Sequence, residues 1–176
     1  MMNIEITNAI TKFKKLMEAN GADDSWCIVG SVALKVLGGI EVTPHDLDVE
    51  VLESSEMESI FRNMAIAYGS SFYERKPDDY DAKAEKRMKR PITWKHKPYI
   101  FEIRGVRVNV WMVTEFSNRS VQLTNGLRYA LPADVLDRKL AYRRPKDIQL
   151  GLMLIQDIST MMNRCCGECD EKKKEV

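Results

Sequence analysis

Apolar residues recur at helical spacing near the start of the chain. Ile6, Ile10, Phe13, Leu16 and Met17 form one stripe between Ile4 and Asn20, with lysines between them. This spacing predicts an amphipathic helix that Gly21 ends. The run Trp26 to Val29 is apolar and stops at Gly30-Ser31, and Val32 to Leu37 then reads as a short helix closing on Gly38-Gly39. From Asp46 to Val51 the period changes to two. Asp46, Asp48 and Glu50 alternate with Leu47, Val49 and Val51, so the acids share one strand face and the aliphatics the other. The apolar face needs a helix against it, which predicts a central strand.

Ser55-Glu56-Met57-Glu58 reads as a capping box, and Met57, Ile60, Phe61, Met64 and Ile66 carry a helix to about Tyr68, where Gly69 stops it. Phe72 to Glu74 could form a strand. Tyr99 to Arg104 and Val106 to Val113 are β-rich runs separated by Gly105, the pattern of an antiparallel hairpin. In the second run, Val106, Val108 and Val110 share one face, and Arg107, Asn109 and Trp111 the other. Asn125-Gly126, between Val121–Thr124 and Leu127–Ala130, marks a second hairpin. Pro132 opens a helix with Val135, Leu136, Leu140 and Tyr142 inward. Arg143 to Asp147 breaks it, and Ile148, Leu152, Ile155, Ile158 and Met162 give a following helix a long apolar stripe. This order predicts an α+β fold, a mixed sheet with helices mainly on one face. A core would span residues 1–130 and a helical segment packed on it 131–163. Residues 164–176, ending in Glu-Lys-Lys-Lys-Glu-Val, would be a disordered tail.

Composition alters this picture little. The 176 residues suffice for one domain with a proper core, and 44% hydrophobic with 30% charged residues is ordinary for a globular chain. A net charge of +1 means that any nucleic-acid contact must come from a local patch. No apolar run of about 20 residues is present, and no leader pattern opens the chain, so a cytoplasmic protein is the expectation and a membrane partner is not. Cys27 lies within an apolar run and reads as a small buried residue. Cys165, Cys166 and Cys169 hold a single C-x-x-C, too few ligands for a zinc site, and read as reduced thiols. Lys83, Lys86, Arg87, Lys89, Arg90, Lys95 and Lys97, with Trp94 and Tyr99, could make a basic patch for a phosphate-rich ligand. Asp78, Asp79, Asp81 and Glu85 dilute it, which favours a solvated loop or short exposed helix. Asp23 and Asp24 read as solvating loop residues.

The chemistry concentrates between Gly30 and Asp48. Two carboxylates about 7 Å apart on one strand face suit a divalent cation, which takes oxygen ligands. The Gly30-Ser31 turn lies between a strand and a helix, where backbone amides and the helix start attract an anion such as phosphate. Together these are the equipment of phosphoryl or nucleotidyl transfer. His45 precedes the acid pair but alternation turns it from the acid face, which favours a structural or gating role. His96, between two lysines, reads as exposed.

Gly30, Ser31, Asp46 and Asp48 resemble the signature of the nucleotidyltransferase superfamily typified by DNA polymerase beta and the antibiotic nucleotidyltransferases. In that family a Gly-Ser pair is followed, after a short helix, by two aspartates spaced by one residue. Thr43 and Gly38-Gly39 are similar to the smaller bacterial members. The resemblance runs from about Asp24 to Ile158. It implies that Gly30 and Ser31 hold a nucleoside triphosphate and that Asp46 and Asp48 bind Mg2+ or Mn2+. It further implies that a nucleoside monophosphate passes to an acceptor hydroxyl of a small molecule, protein or RNA. It places Lys139 near the nucleotide phosphates, with a solvated helix lysine as the alternative, while Lys146 and Asp147 could form a structural pair or cap. The family's third carboxylate falls at Asn109, in Val-Arg-Val-Asn-Val-Trp. An amide oxygen can ligate a cation, but it is no general base at neutral pH. Glu50, or else Glu102, could substitute, and Glu50 shares the face of the acid pair.

Three readings follow: a metal-dependent nucleotidyltransferase, a degenerate relative that binds nucleotide or a partner without efficient turnover because of Asn109, and a plain interaction module in which the acid pair is coincidental. The acceptor, the base preference and the oligomeric state are not written in the sequence.

Overall fold

A computed structural model of the chain describes residues 3–67, 79–89, 98–116 and 121–156. The expected strand at Phe72–Glu74, His96 and its neighbouring lysines, and the cysteine tail lie outside the described residues. Helix α1 spans Ile4–Ala19, strand β1 Trp26–Ile28, α2 Gly30–Gly38 and β2 Asp46–Leu52. Helices α3 (Ser55–Ala67) and α4 (Asp79–Met88) precede the hairpin of β3 (Pro98–Ile103) and β4 (Val106–Val113). A second hairpin, β5 (Val121–Thr124) and β6 (Leu127–Ala130), leads into α5 (Pro132–Tyr142), and residues 145–156 are again helical.

The strands form a six-stranded mixed sheet in the order β3-β4-β2-β1-β6-β5, so the fold is α+β and the acidic strand β2 is central. β2 runs antiparallel to β1 and parallel to β4. The β2–β4 register pairs Leu47 with Val108, Val49 with Val110 and Val51 with Met112. These pairs share one sheet face and are buried against the helices. On the same face Phe13 of α1 meets Trp26 edge-on at 5.0 Å and stacks near Phe61 at 6.0 Å and Phe101 at 6.4 Å. That aromatic group joins α1, α3 and two strands, β1 and β3, and it exists because each element keeps its expected hydrophobic period. The same register pairs Asp46 with Arg107, Asp48 with Asn109 and Glu50 with Trp111 on the opposite face. There α5 comes over the sheet, tied down by Arg138, whose Nη1 lies 3.2 Å from Glu50 Oε1.

Several local expectations are corrected. The cap of α3 is Ser54, not Ser55: its hydroxyl accepts from the Met57 amide at 3.1 Å. Ile66 is 76% exposed, because nine residues after Met57 and two after Met64 it falls on the opposite side of α3 from the buried Met57, Phe61 and Met64. Leu140, Ile148, Leu152 and Ile155 are also largely exposed. Among the described residues of the last helix, Leu150 is buried in the core and Leu154 packs against it, whereas Ile148, Leu152 and Ile155 of the expected stripe point outward; Ile158 and Met162 lie outside the described residues. Asp24 is not merely solvated: it pairs with Arg128, which also donates to the Asp23 carbonyl at 2.6 Å. The charged stretch after Lys76 contains α4, which is mostly exposed yet docks on α5 through buried Ala84 and an Arg87 bond of 2.6 Å to the Ala141 carbonyl. Cys27 is buried and reduced, and burial, with Glu50 adding to it, pushes its thiol well above the ordinary range.

Candidate functional site

The site begins with a register. Because Ile28 sits opposite Val49 on the antiparallel partner, the chain leaving β1 passes Asp48 as it turns into α2. Gly30 makes that turn with φ +67°, a conformation that disfavours side chains. A Cβ on Gly30 would lie 2.7 Å from Asp48 Oδ2, so the carboxylate occupies space that only glycine leaves open. Val29, the residue before α2, provides no side-chain cap. The amides at the start of α2 therefore retain their capacity for an anion. The sequence pattern foresaw both Gly30 and Ser31 in this place, and both line the pocket.

β2 and β4 supply the floor. Asp46, Asp48 and Asn109 face the same side and meet through one group, the Asn109 amide nitrogen. It donates to Asp48 Oδ1 at 2.8 Å and to Asp46 Oδ2 at 3.2 Å. The Asn109 amide oxygen accepts from Arg107 Nε at 2.9 Å. Asn109 is 6% exposed. Burial holds the Asp48 carboxyl above the usual aspartate range, and the nearby Asp46 charge pushes it the same way. Hydrogen bonds from Asn109 and the Trp111 indole, and the charge of Lys139, oppose that rise.

α5 and the start of the following helix supply the opposite wall. Arg138, Lys139, Tyr142, Arg144 and Lys146 line the pocket with Val29, Gly30, Ser31, Asp46, Asp48, Asn109, Trp111 and Val135. Its volume is about 310 Å³. Acidic oxygens thus lie on the sheet side and cationic side chains on the helix side. Asp147, 1% exposed, holds that wall together: its oxygens lie 2.6 Å from Arg144 Nε and 3.8 Å from Lys139 Nζ. Burial draws the Lys139 ammonium below the ordinary lysine value, and the charges of Arg144 and Lys146 add to this, against Asp147 and Asp48. Lys139 therefore sits in the pocket while also belonging to an internal ion-pair cluster. The pairing expected between Lys146 and Asp147 is instead made by Arg144 and Lys139.

The residues present fit a divalent cation. Asp46 and Asp48 oxygens already converge on one hydrogen-bond donor, so they can converge on one ion, and magnesium is commonly held by one or two carboxylates plus substrate phosphates. Glu50 does not join them. It is 1% exposed, bound to Arg138 and absent from the pocket lining. Glu102 is exposed on β3, beyond β4 from the acid pair. Neither offers a third carboxylate to the pocket. Sequence reasoning missed Arg138, Arg144 and Tyr142 as pocket residues. For Arg138 and Tyr142 the signal was helical spacing, since Tyr142 lies four residues after Arg138 and three after Lys139 along α5, while Arg144, beyond the end of α5, had no such signal.

No family model and no curated protein matches this chain. Among solved structures it is similar to TM1012 of Thermotoga maritima, named provisionally as a nucleotidyltransferase, at 13% identity and TM-score 0.41 over 93% of this chain and 96% of that one. It is also similar to JHP933 of Helicobacter pylori, at 17% identity and TM-score 0.40 over 80% of this chain and 58% of that one.

Proposed function

We propose that the pocket binds a nucleoside triphosphate with magnesium or manganese and transfers its nucleoside monophosphate to an acceptor hydroxyl. The observation that carries this reading is the close seat of Gly30 against Asp48. It sets a helix start without a side-chain cap beside an acid pair, with Arg138, Lys139 and Lys146 across the pocket. A polyphosphate needs that combination, because its charge must be met from several sides at once. Asp46 and Asp48 would hold the ion, which when bound supplies charge neutralisation at the reacting phosphate. The α2 amides and the cationic wall would bind and orient the phosphates. Tyr142 and Val135 narrow the pocket and limit water. The acceptor is a hydroxyl of a small molecule, protein or RNA.

A second reading has its own observation. Asn109 has no basic atom for an acceptor proton, and it already satisfies both aspartates. This supports nucleotide binding with slow or no turnover.

The test is calorimetric titration of nucleoside triphosphates with and without Mg2+, alongside pyrophosphate release. The expected outcome is Mg2+-dependent binding that Asp46→Asn and Asp48→Asn each weaken at least about tenfold. Binding without pyrophosphate release, with release gained in Asn109→Asp, selects the second reading. Binding that ignores both Mg2+ and the two aspartates rejects the site.

A further inference from the structure

Asn109 stands between the acid pair and Arg107, and all three of its side-chain hydrogen bonds demand the same orientation. Carboxylates only accept and a guanidinium only donates. The amide nitrogen must therefore face Asp46 and Asp48, at 3.2 and 2.8 Å, and the amide oxygen must face Arg107 Nε, at 2.9 Å. Turning the amide over would break three bonds and set oxygen against oxygen. Two consequences follow for a cation. The only end of Asn109 able to ligate one points away from the acid pair. The amide nitrogen lies where the two carboxylates converge, the place an ion held by both would take.

We infer that Arg107 and Asn109 form a latch, an internal substitute for the metal, which makes the acid pair take a divalent cation weakly until the Asn109 side chain is displaced. Asn109 provides the positive end of the amide dipole, and Arg107 is the positioning residue that fixes which end that is. This rests on the metal role proposed above for Asp46 and Asp48, and goes beyond it by assigning control of that role to a residue outside the pocket lining. The physical logic is exchange. The cation must replace two hydrogen bonds to charged groups before its own ligation counts, and it does so without the amide oxygen as a ligand. A ligand that brings its own phosphate oxygens to the ion lowers that cost, so metal and nucleotide would enter as a unit.

The experiment titrates Mn2+ alone into the full chain and reads the free ion by electron paramagnetic resonance. Arg107 is exposed, so its variants test the latch without disturbing the core. The expected result is weak binding by the unaltered chain, about fivefold tighter binding by both Arg107→Gln and Arg107→Lys, and at least about tenfold tighter binding by Asn109→Asp. Arg107→Lys keeps the charge but loses the fixed Nε–H, so a gain confined to Arg107→Gln reports charge removal alone and overturns the latch. Equal affinity in the unaltered chain and Arg107→Gln also overturns it. If Asn109→Asp binds Mn2+ while the Arg107 variants do not differ from the parent, the latch fails and the metal site stands. If none of the variants binds Mn2+, both fail together. A second readout is independent of affinity. The Asn109 side-chain amide protons, assigned by their loss in Asn109→Asp, should exchange slowly in the parent and at least about fivefold faster in Arg107→Gln. Unchanged exchange counts against the latch.

Discussion

At the scale of single residues, Gly30 carries the sharpest constraint in the chain. Its φ of +67° costs an L-residue, and its missing Cβ leaves room for Asp48 Oδ2 at what would otherwise be 2.7 Å. Gly30→Ala is therefore expected to cost about 2 kcal/mol or more in urea unfolding. It should also lower nucleotide affinity, because the displaced carboxylate is one of the pair proposed to hold the ion. Near-parental stability together with parental affinity would remove Gly30 from the site. Glu50 shows the limit of reasoning from face alone. It shares the strand face of Asp46 and Asp48, but the next step along β2 carries it beneath α5. There it neutralises Arg138 rather than serving the pocket. Asn109 shows the converse. Its alternation places it correctly, while which of its two ends meets the acids is set by Arg107 and by atoms on another strand.

At the scale of elements, each helix and strand is short and depends on its ends. α3 begins where the Ser54 hydroxyl takes the Met57 amide at 3.1 Å. Ser54→Ala should thus cost about 1 kcal/mol in the unfolding free energy, whereas Ser55→Ala should cost only a few tenths. The reverse order would restore the capping box expected one residue later. The Asn125-Gly126 turn is left-handed at both residues, φ 52° and 67°, which is why this dipeptide closes β5 on β6. Periodicity located these elements well, because burying one face is a local demand on spacing. It erred at α3's end and in the last helix. Ile66 does not share the spacing of the stripe expected for α3, whereas Ile148, Leu152 and Ile155 have the spacing of a core stripe, yet no described element covers them, and spacing alone does not state what lies opposite.

At the scale of the whole molecule, the pocket is an electrostatic meeting of two layers. The sheet brings Asp46 and Asp48, and α5 with its successor brings Arg138, Lys139, Arg144 and Lys146. Lys139 belongs to both worlds. Burial lowers its proton affinity, with Arg144 and Lys146 acting in the same sense, so it loses its charge at a lower pH than an ordinary lysine as pH rises. Nucleotide affinity should then fall on the alkaline side earlier than a free lysine would dictate. Lys139→Arg keeps its charge throughout and should move that limb upward. Titrating affinity between pH 7 and about 10.5, near the ordinary lysine value, checks this. Coincident profiles for parent and variant would show that Lys139 does not govern the phosphate contact.

The sequence by itself determined which faces are apolar, where the two hairpins turn, and that glycine, serine and two aspartates occur at spacings suited to one site. Those are consequences of backbone period and steric permission, which act between near neighbours. Only the tertiary structure decided that β2 and β4 run parallel in a register setting Asp48 beside Asn109, and that α5 crosses over the acid face. It likewise decided that Asp147 gathers Lys139 and Arg144 into one cluster. These depend on contacts between residues distant along the chain, where the free energy is settled by the fit of whole layers and by which buried charge finds which partner.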